Sequence, residues 1–286
     1  MARGKVNEGI DVEHAAGTST AASRGLPPLP PPPRLPGRAR LAAWCAGCLA
    51  LCALVALAVT AAGSAGNGLV MLALPLSQAP GPLIRRWRLR RLLSDRRHRT
   101  LADDPTAAAL AAALGPYGVH ELTVRVGTAV RGMGRSYRAG GRGVVVLDEH
   151  VLRLPWATAF FLTHELGHLA RHDFVRRPLT ITTLLACWVC GVLTVPWAVV
   201  GLVPALALVV AFNWTMELDC DRIAARWAGL GPAERAMSLL DLAHRQPGRS
   251  PLAALRIRLH LTHPPVGRRL AAVRAAASPA GPSPTA

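Results

Sequence analysis

Residues 160–173 read FFLTHELGHLARHD. On a helix, residues four apart lie on one face, one turn from each other. His164 and His168 can therefore aim two imidazoles at one point. Glu165, about 100° round the helix from His164, can reach water on the open side of an ion held there. Zinc bound by two histidines and a carboxylate keeps a fourth position open and acidifies water in it. A neighbouring glutamate can accept the proton of that water as it attacks a carbonyl. The pattern thus suits peptide hydrolysis at a metal site, with Glu165 as general base. The competing reading is three polar residues that share a helix by chance. His172 extends the stripe, but one straight helix cannot bring all three histidines to one ion, because the outer two are ~12 Å apart. His172 is therefore assigned to the surface or to a place behind the ligands.

A third ligand has to come from elsewhere. FNWTMELDCDRIAARWAG at 212–229 offers Glu217 and Asp221, again four apart. Glu217 can complete the site. Asp221, one turn on, can hydrogen-bond the free ring nitrogen of a ligand histidine and fix its tautomer. The alternative for Glu217, Asp219 and Asp221 is an acid-rich first turn favoured by the helix dipole.

The elements that must position these residues sit in an apolar, basic chain. It has 286 residues, 51% of them hydrophobic, and a formal net charge of +17. Mean hydropathy is +0.29. Lys5 is the only lysine, so arginine carries the charge. Zinc-finger spacing, RNA-binding aromatic motifs and heptads are missing, so no nucleic-acid partner is expected. Arginine beside apolar runs reads instead as the cytoplasmic flank of membrane helices.

Residues 1–40 form a proline-rich arm (LPPLPPPPRLP at 26–36) that should be disordered or polyproline. Leu41–Ala62 is long and apolar enough to span a bilayer. Asn67–Ile84 is a second span or an interfacial segment, and 41–84 is read as a membrane hairpin. RRWRLRRLLSDRRHR at 85–99 reads as a cytoplasmic anchor. Residues 85–178 hold the first part of the catalytic domain. A helix is expected over 104–115, with Asp104 before Pro105, and strands over 119–127 and 143–150. RGMGRSYRAGGRG between the strands reads as a flexible loop. From Pro155 the pattern is helical to about Asp173. Strand 143–148 offers an edge to an extended substrate. Leu179–Trp214 carries no charge and suits a second hairpin, turning near Pro196 or Gly201–Pro204. Residues 215–286 complete the catalytic domain. Five of the six cysteines lie in apolar runs; Cys45/Cys48 and Cys187/Cys190 have C-x-x-C spacing, and packing between helices is the preferred reading.

Three motifs, in order, resemble those of the HtpX-like and CAAX prenyl protease family of integral-membrane zinc endopeptidases. HELGHLARHD is similar to H-E-x-x-H-x-x-x-x-D, with Asp173 as the last acid. ELDCDRIAA is similar to E-x-x-x-D-x-x-A, and LTHPPVGRRLAAV at 261–273 to T-H-P-P with a downstream arginine, here Arg269. The resemblance covers residues 143–273. It implies one Zn2+ on His164, His168 and Glu217, Glu165 as general base, and a place for His263 near substrate or metal. Asp221, Asp173 and Arg269 then belong behind the ligands or on the substrate side. On the residues alone, His263 before two prolines equally reads as a turn. The family's Asn-Ala-Phe-like segment is replaced here by RSYRAGG, which leaves the substrate edge without its usual residues.

The fold expected is mainly α, a multi-pass membrane protein with a zincin (HExxH) catalytic domain containing a small β-sheet. The function expected is a membrane-bound zinc metalloendopeptidase that hydrolyses internal bonds of membrane or misfolded proteins. Its partners are a polypeptide substrate and the lipid bilayer. His164, His168 and Glu217 must meet, so 179–214 has to start and end on one side. Arg171, Arg176 and Arg177 before it, and Arg222 and Arg226 after it, put the active site on the cytoplasmic face of a bacterial plasma membrane. Two alternatives stand. One is a sensor-transducer peptidase of the beta-lactam-sensing type, whose E-x-x-C-D segment Glu217–Asp221 also fits. The T-H-P-P motif and the lack of a penicillin-binding domain argue against it. The other is a silent scaffold with a zincin fold, against which the intact Glu165 counts.

Overall fold

The computed structural model describes residues 38–61, 81–101, 105–128, 133–245 and 263–277, with single positions among 26–33 and 63–80. Asp104, Thr262, most of Asn67–Ile84 and the arm before Leu26 lie outside the described residues.

Three helices are long and apolar enough to cross a membrane. Helix α1 is Arg38–Ala61, α6 is Asp173–Thr194 and α7 is Leu202–Ala228. Their apolar stretches have mean hydropathies of 2.4, 1.4 and 2.0. They pack as one bundle. Trp44 Nε1 of α1 donates to Thr180 Oγ1 of α6 at 3.1 Å, and its ring stacks 5.2 Å from Phe212 of α7. Further along, Cys52 of α1 and Cys190 of α6 are buried together with Met71. All six cysteines are free thiols, so the C-x-x-C pairs make no disulfide. Leu49, Leu54, Leu57, Leu193, Val203 and Leu206 are exposed. Such a continuous apolar surface belongs in lipid. A turn of 3-10 helix, Pro196–Gly201, joins α6 to α7 within the expected reversal.

The remaining elements surround a small mixed sheet. Helix α2 is Gly81–Ser94, and β1 (His98–Thr100) follows it. Next come α3 (Pro105–Leu114), β2 (Glu121–Gly127), β3 (Gly134–Ala139) and β4 (Arg142–Asp148). After α4 (Glu149–Leu152) the chain enters α5 (Pro155–Ala170); α8 (Leu230–Arg245) and α9 (Val266–Ala277) follow α7. The strand order is β1-β2-β4-β3. β2 and β4 run parallel, with Glu121 opposite Arg142 and Gly127 opposite Asp148. β3 runs antiparallel to β4, with Gly134 opposite Leu147.

Two strand expectations are corrected here. The glycine-rich stretch is no flexible loop, because its middle is strand β3. Strand 143–148 is no edge either. β4 lies between β2 and β3, and its residues Gly143–Asp148 are all buried. Its unbroken apolar run suits a strand covered on both faces. Val145 and Leu147 pack with α5 on one face, and Val144 and Val146 with Leu89 of α2 on the other.

The basic run is also more than an anchor. Arg125 of β2 donates to the carbonyls of Leu92, Leu93, Asp95 and His98, which fixes the end of α2 to the sheet. An arginine satisfying the orphan carbonyls of a helix end is a favourable C-terminal contact. Part of the proline-rich arm is docked rather than free. Leu26 is buried in the main core, and Trp227 Nε1 donates to Pro30 O at 2.7 Å.

Candidate metal centre and cleft

Helix α5 starts with Pro155 at its first position, where the missing N–H costs nothing. One face carries Leu162, Leu166 and Leu169 into the core. The opposite face carries His164 and His168, one turn apart. α5 ends earlier than expected, at Ala170, because His172 takes a left-handed conformation with φ 58°. That break removes His172 from the stripe, and it lines a separate cavity with His120 and Gly141. It also starts a new helix at Asp173, which swings that carboxylate back towards His168.

Helix α7 crosses α5 closely. A Cβ on Gly167 would lie 3.3 Å from Cys220 Sγ, so only glycine leaves the two helices unperturbed there. This crossing sets Glu217 against both histidines. His164 Nε2 and His168 Nε2 are 3.2 Å apart. Each lies 3.7 Å from a Glu217 oxygen. The three ligand atoms fall within 4.8 Å of one another, and His164 and Glu217 are buried.

The other ring nitrogens face carboxylates. His164 Nδ1 lies 3.0 Å from Asp221 Oδ1, and His168 Nδ1 lies 2.8 Å from Asp173 Oδ2. Both carboxylates draw the ring protons to Nδ1 and leave the Nε2 lone pairs facing one point. Asp221 is itself gripped by Arg269, whose Nε and Nη2 each donate at 2.7 Å. Burial opposes charge on Arg269, but Asp221 prevails and raises its pKa. Asp173 is held by Arg171 and Arg176 at 3.5 and 3.4 Å. Cys220 Sγ lies 3.4 Å from His168 Nδ1.

This donor set suits a cation. Nitrogens bound to zinc at ~2.0–2.1 Å in a tetrahedral site sit about 3.3 Å apart, close to the observed spacing. The charges agree. Burial pushes His164 down, yet Asp221 and Glu217 hold its pKa up at about 10. His168 is also raised, with Asp173 and Glu217 outweighing burial. Charges that hold an extra proton so firmly attract a metal ion at the same point.

Glu165 stands beside this centre and is only 8% exposed. Ser136 Oγ of β3 donates to Glu165 Oε2 at 2.5 Å. Gly134 gives the glutamate room, since a Cβ there would meet Oε1 at 3.3 Å. Arg138, two residues on, donates to the carbonyls of Leu169, Tyr117 and Gly118 and pins β3 to the end of α5. His263 closes the other side, with Nδ1 2.9 Å from Glu217 Oε2 and its side chain 54% exposed. A cavity of about 720 Å³ opens over His164, Glu165, His168, Glu217 and His263.

All eight singled-out residues thus converge: His164, His168 and Glu217 on one point, Glu165 and His263 beside it, Asp221, Asp173 and Arg269 behind it. Ser136 and Arg138 belong to no motif in the sequence and lie in the stretch expected to be a loop. Their one available signal is the alternation of Ser136 and Arg138 on one face of a strand.

The family model described as peptidase family M48 matches residues 138–277. No curated protein and no solved structure matches the chain.

Proposed function

The chain belongs, through residues 138–277, to the metallopeptidase family M48, and from that premise we propose a membrane-bound zinc endopeptidase that cuts internal bonds of membrane or misfolded proteins. The observation carrying this reading is the meeting of His164, His168 and Glu217 at one point of a cleft that also exposes Glu165. Those three residues would hold the zinc ion. When bound, zinc supplies Lewis acidity, polarising a carbonyl and acidifying water.

The chain's own residues do the rest. Glu165 is the general base. Ser136 occupies Oε2 and orients the carboxylate, so Oε1 is left to take the proton and later return it to the leaving amine. Asp221 and Asp173 fix the tautomers of His164 and His168, and Arg269 keeps Asp221 ionised and aimed. His263 braces Glu217 from the open side and can reach a substrate there. β3 is the sheet edge beside Glu165 among the described residues, so an extended substrate pairs along it.

The bundle of α1, α6 and α7 anchors the enzyme, with the cleft on the cytoplasmic side of a bacterial plasma membrane. Arg171, Arg176 and Arg222 cluster at the cleft end of α6 and α7. Glu165→Gln keeps size and hydrogen bonding but takes no proton. It should keep its zinc while hydrolysis of a casein-type substrate falls by ~10² or more. Turnover at the unmutated rate would remove Glu165 from the mechanism.

A further inference from the structure

The cleft is more basic than hydrolysis requires. Arg85 and Arg88 reach its wall from α2, Arg135 from β3 and Arg177 from α6. The acids on the same wall are already engaged. Glu165 is bound to Ser136, Asp173 to His168 and Arg176, and Glu217 to the histidines. Among the described residues, no carboxylate lies within ion-pairing distance of Arg85, Arg88, Arg135 or Arg177. Arg177 is nonetheless held in place, its Nε donating to Asn213 Oδ1 at 2.8 Å. Phe161, Tyr137 and Ile181 line the same cavity and give it an apolar share.

Resting on the peptidase reading above, we propose that this cleft selects polypeptide segments with acidic side chains flanking an apolar scissile region. Three elements bring guanidinium groups that have no carboxylate partner among the described residues to one cavity, and guanidinium pairs well with carboxylate. Arg135 precedes Ser136 on the edge strand. A substrate strand alongside β3 therefore runs its side chains past Arg135 while its backbone passes Glu165. The alternative occupant, an anionic lipid headgroup, would need no such placement of arginine on the strand beside the base.

The test uses the full chain, purified in neutral detergent with zinc. Three quenched fluorescent peptides share an apolar centre and carry flanking Glu, Gln or Lys, each with a free or amidated C-terminus. Close opposite charges near a protein surface are worth about tenfold or more, so kcat/KM should fall about tenfold from Glu to Gln and further to Lys. The difference should appear in KM and shrink as salt rises. In the double variant Arg85→Gln/Arg88→Gln, the Glu-to-Gln ratio should move towards one. Equal kcat/KM for the three peptides, or a ratio unchanged in the double variant, would overturn the proposal. So would a preference that vanishes on amidation, which would mean that the terminal carboxylate is read instead. Loss of the charge preference only in the presence of phosphatidylglycerol vesicles would assign the arginines to lipid and overturn it too. If no peptide is cleaved, the peptidase reading fails. Anisotropy of the same labelled peptides on Glu165→Gln protein still decides the charge preference.

Discussion

Helix α7 is one continuous rod with two opposite kinds of surface. From Leu202 to Phe212 no residue is buried, although nearly every one is apolar. From Asn213 to Ala228 the buried residues include Asn213, Glu217 and Asp221. The first half leaves its apolar side chains uncovered, whereas the second buries Asn213, Glu217 and Asp221 beside Met216, Ala224 and Trp227. The first half needs a solvent of its own kind, and the second needs partners for every charge. Asp221 is fully buried, and Arg269 satisfies it twice. Leu206 is 55% exposed and has a lipid environment available instead. The joint between the halves is where the exposed apolar surface ends and the candidate metal centre starts.

If the second half stands on paired charges, removing one partner should be severe. Arg269→Ala leaves the Asp221 carboxylate buried and unpaired, and should cost ~3–5 kcal/mol. Thermal unfolding in detergent would read this as a large fall in Tm. A Tm near that of the unmutated protein would mean that water or another cation reaches Asp221. Asp221→Asn leaves the buried Arg269 without its counter-charge, so it also lowers stability, and its more specific effect is on the metal. It keeps the shape but loses the charge that orients His164, so zinc affinity should weaken ~10–100-fold, as measured by chelator competition. Unchanged affinity would show that Arg269 and Asp221 brace the fold alone. In the first half, Leu206→Ala should change the unfolding free energy by ~0.5 kcal/mol or less, because no described residue closes over it. A cost of ~2–5 kcal/mol, typical of a core leucine, would break the contrast and give that face a protein partner.

The same contrast explains what the sequence made legible. Apolar runs and the HExxH helix are local patterns, so α1, the turn between α6 and α7, and the pair His164/His168 could be read directly. Glu217 and Asp221 followed from a second spacing of four. β3 was hidden because its residues, GRSYRA, have no apolar alternation. Ser136 and Arg138 are held by hydrogen bonds to α5, a pattern that hydropathy does not carry. The sequence pattern leaves β4 looking like an edge for the same reason, since nothing in it marks β3 as its neighbour. The docking of Leu26 and Pro30 was equally invisible, because it depends on Trp227, distant in the chain.

The central claim is that ligands and base are separate: His164, His168 and Glu217 hold the metal, and Glu165 moves the proton. The most direct measurement is zinc per chain by mass spectrometry in three detergent-purified proteins: unmutated, Glu165→Gln and Glu217→Ala. The account predicts about one zinc ion in the first two and a nearly empty site in Glu217→Ala. Full zinc in Glu217→Ala, or loss of zinc in Glu165→Gln, would contradict it.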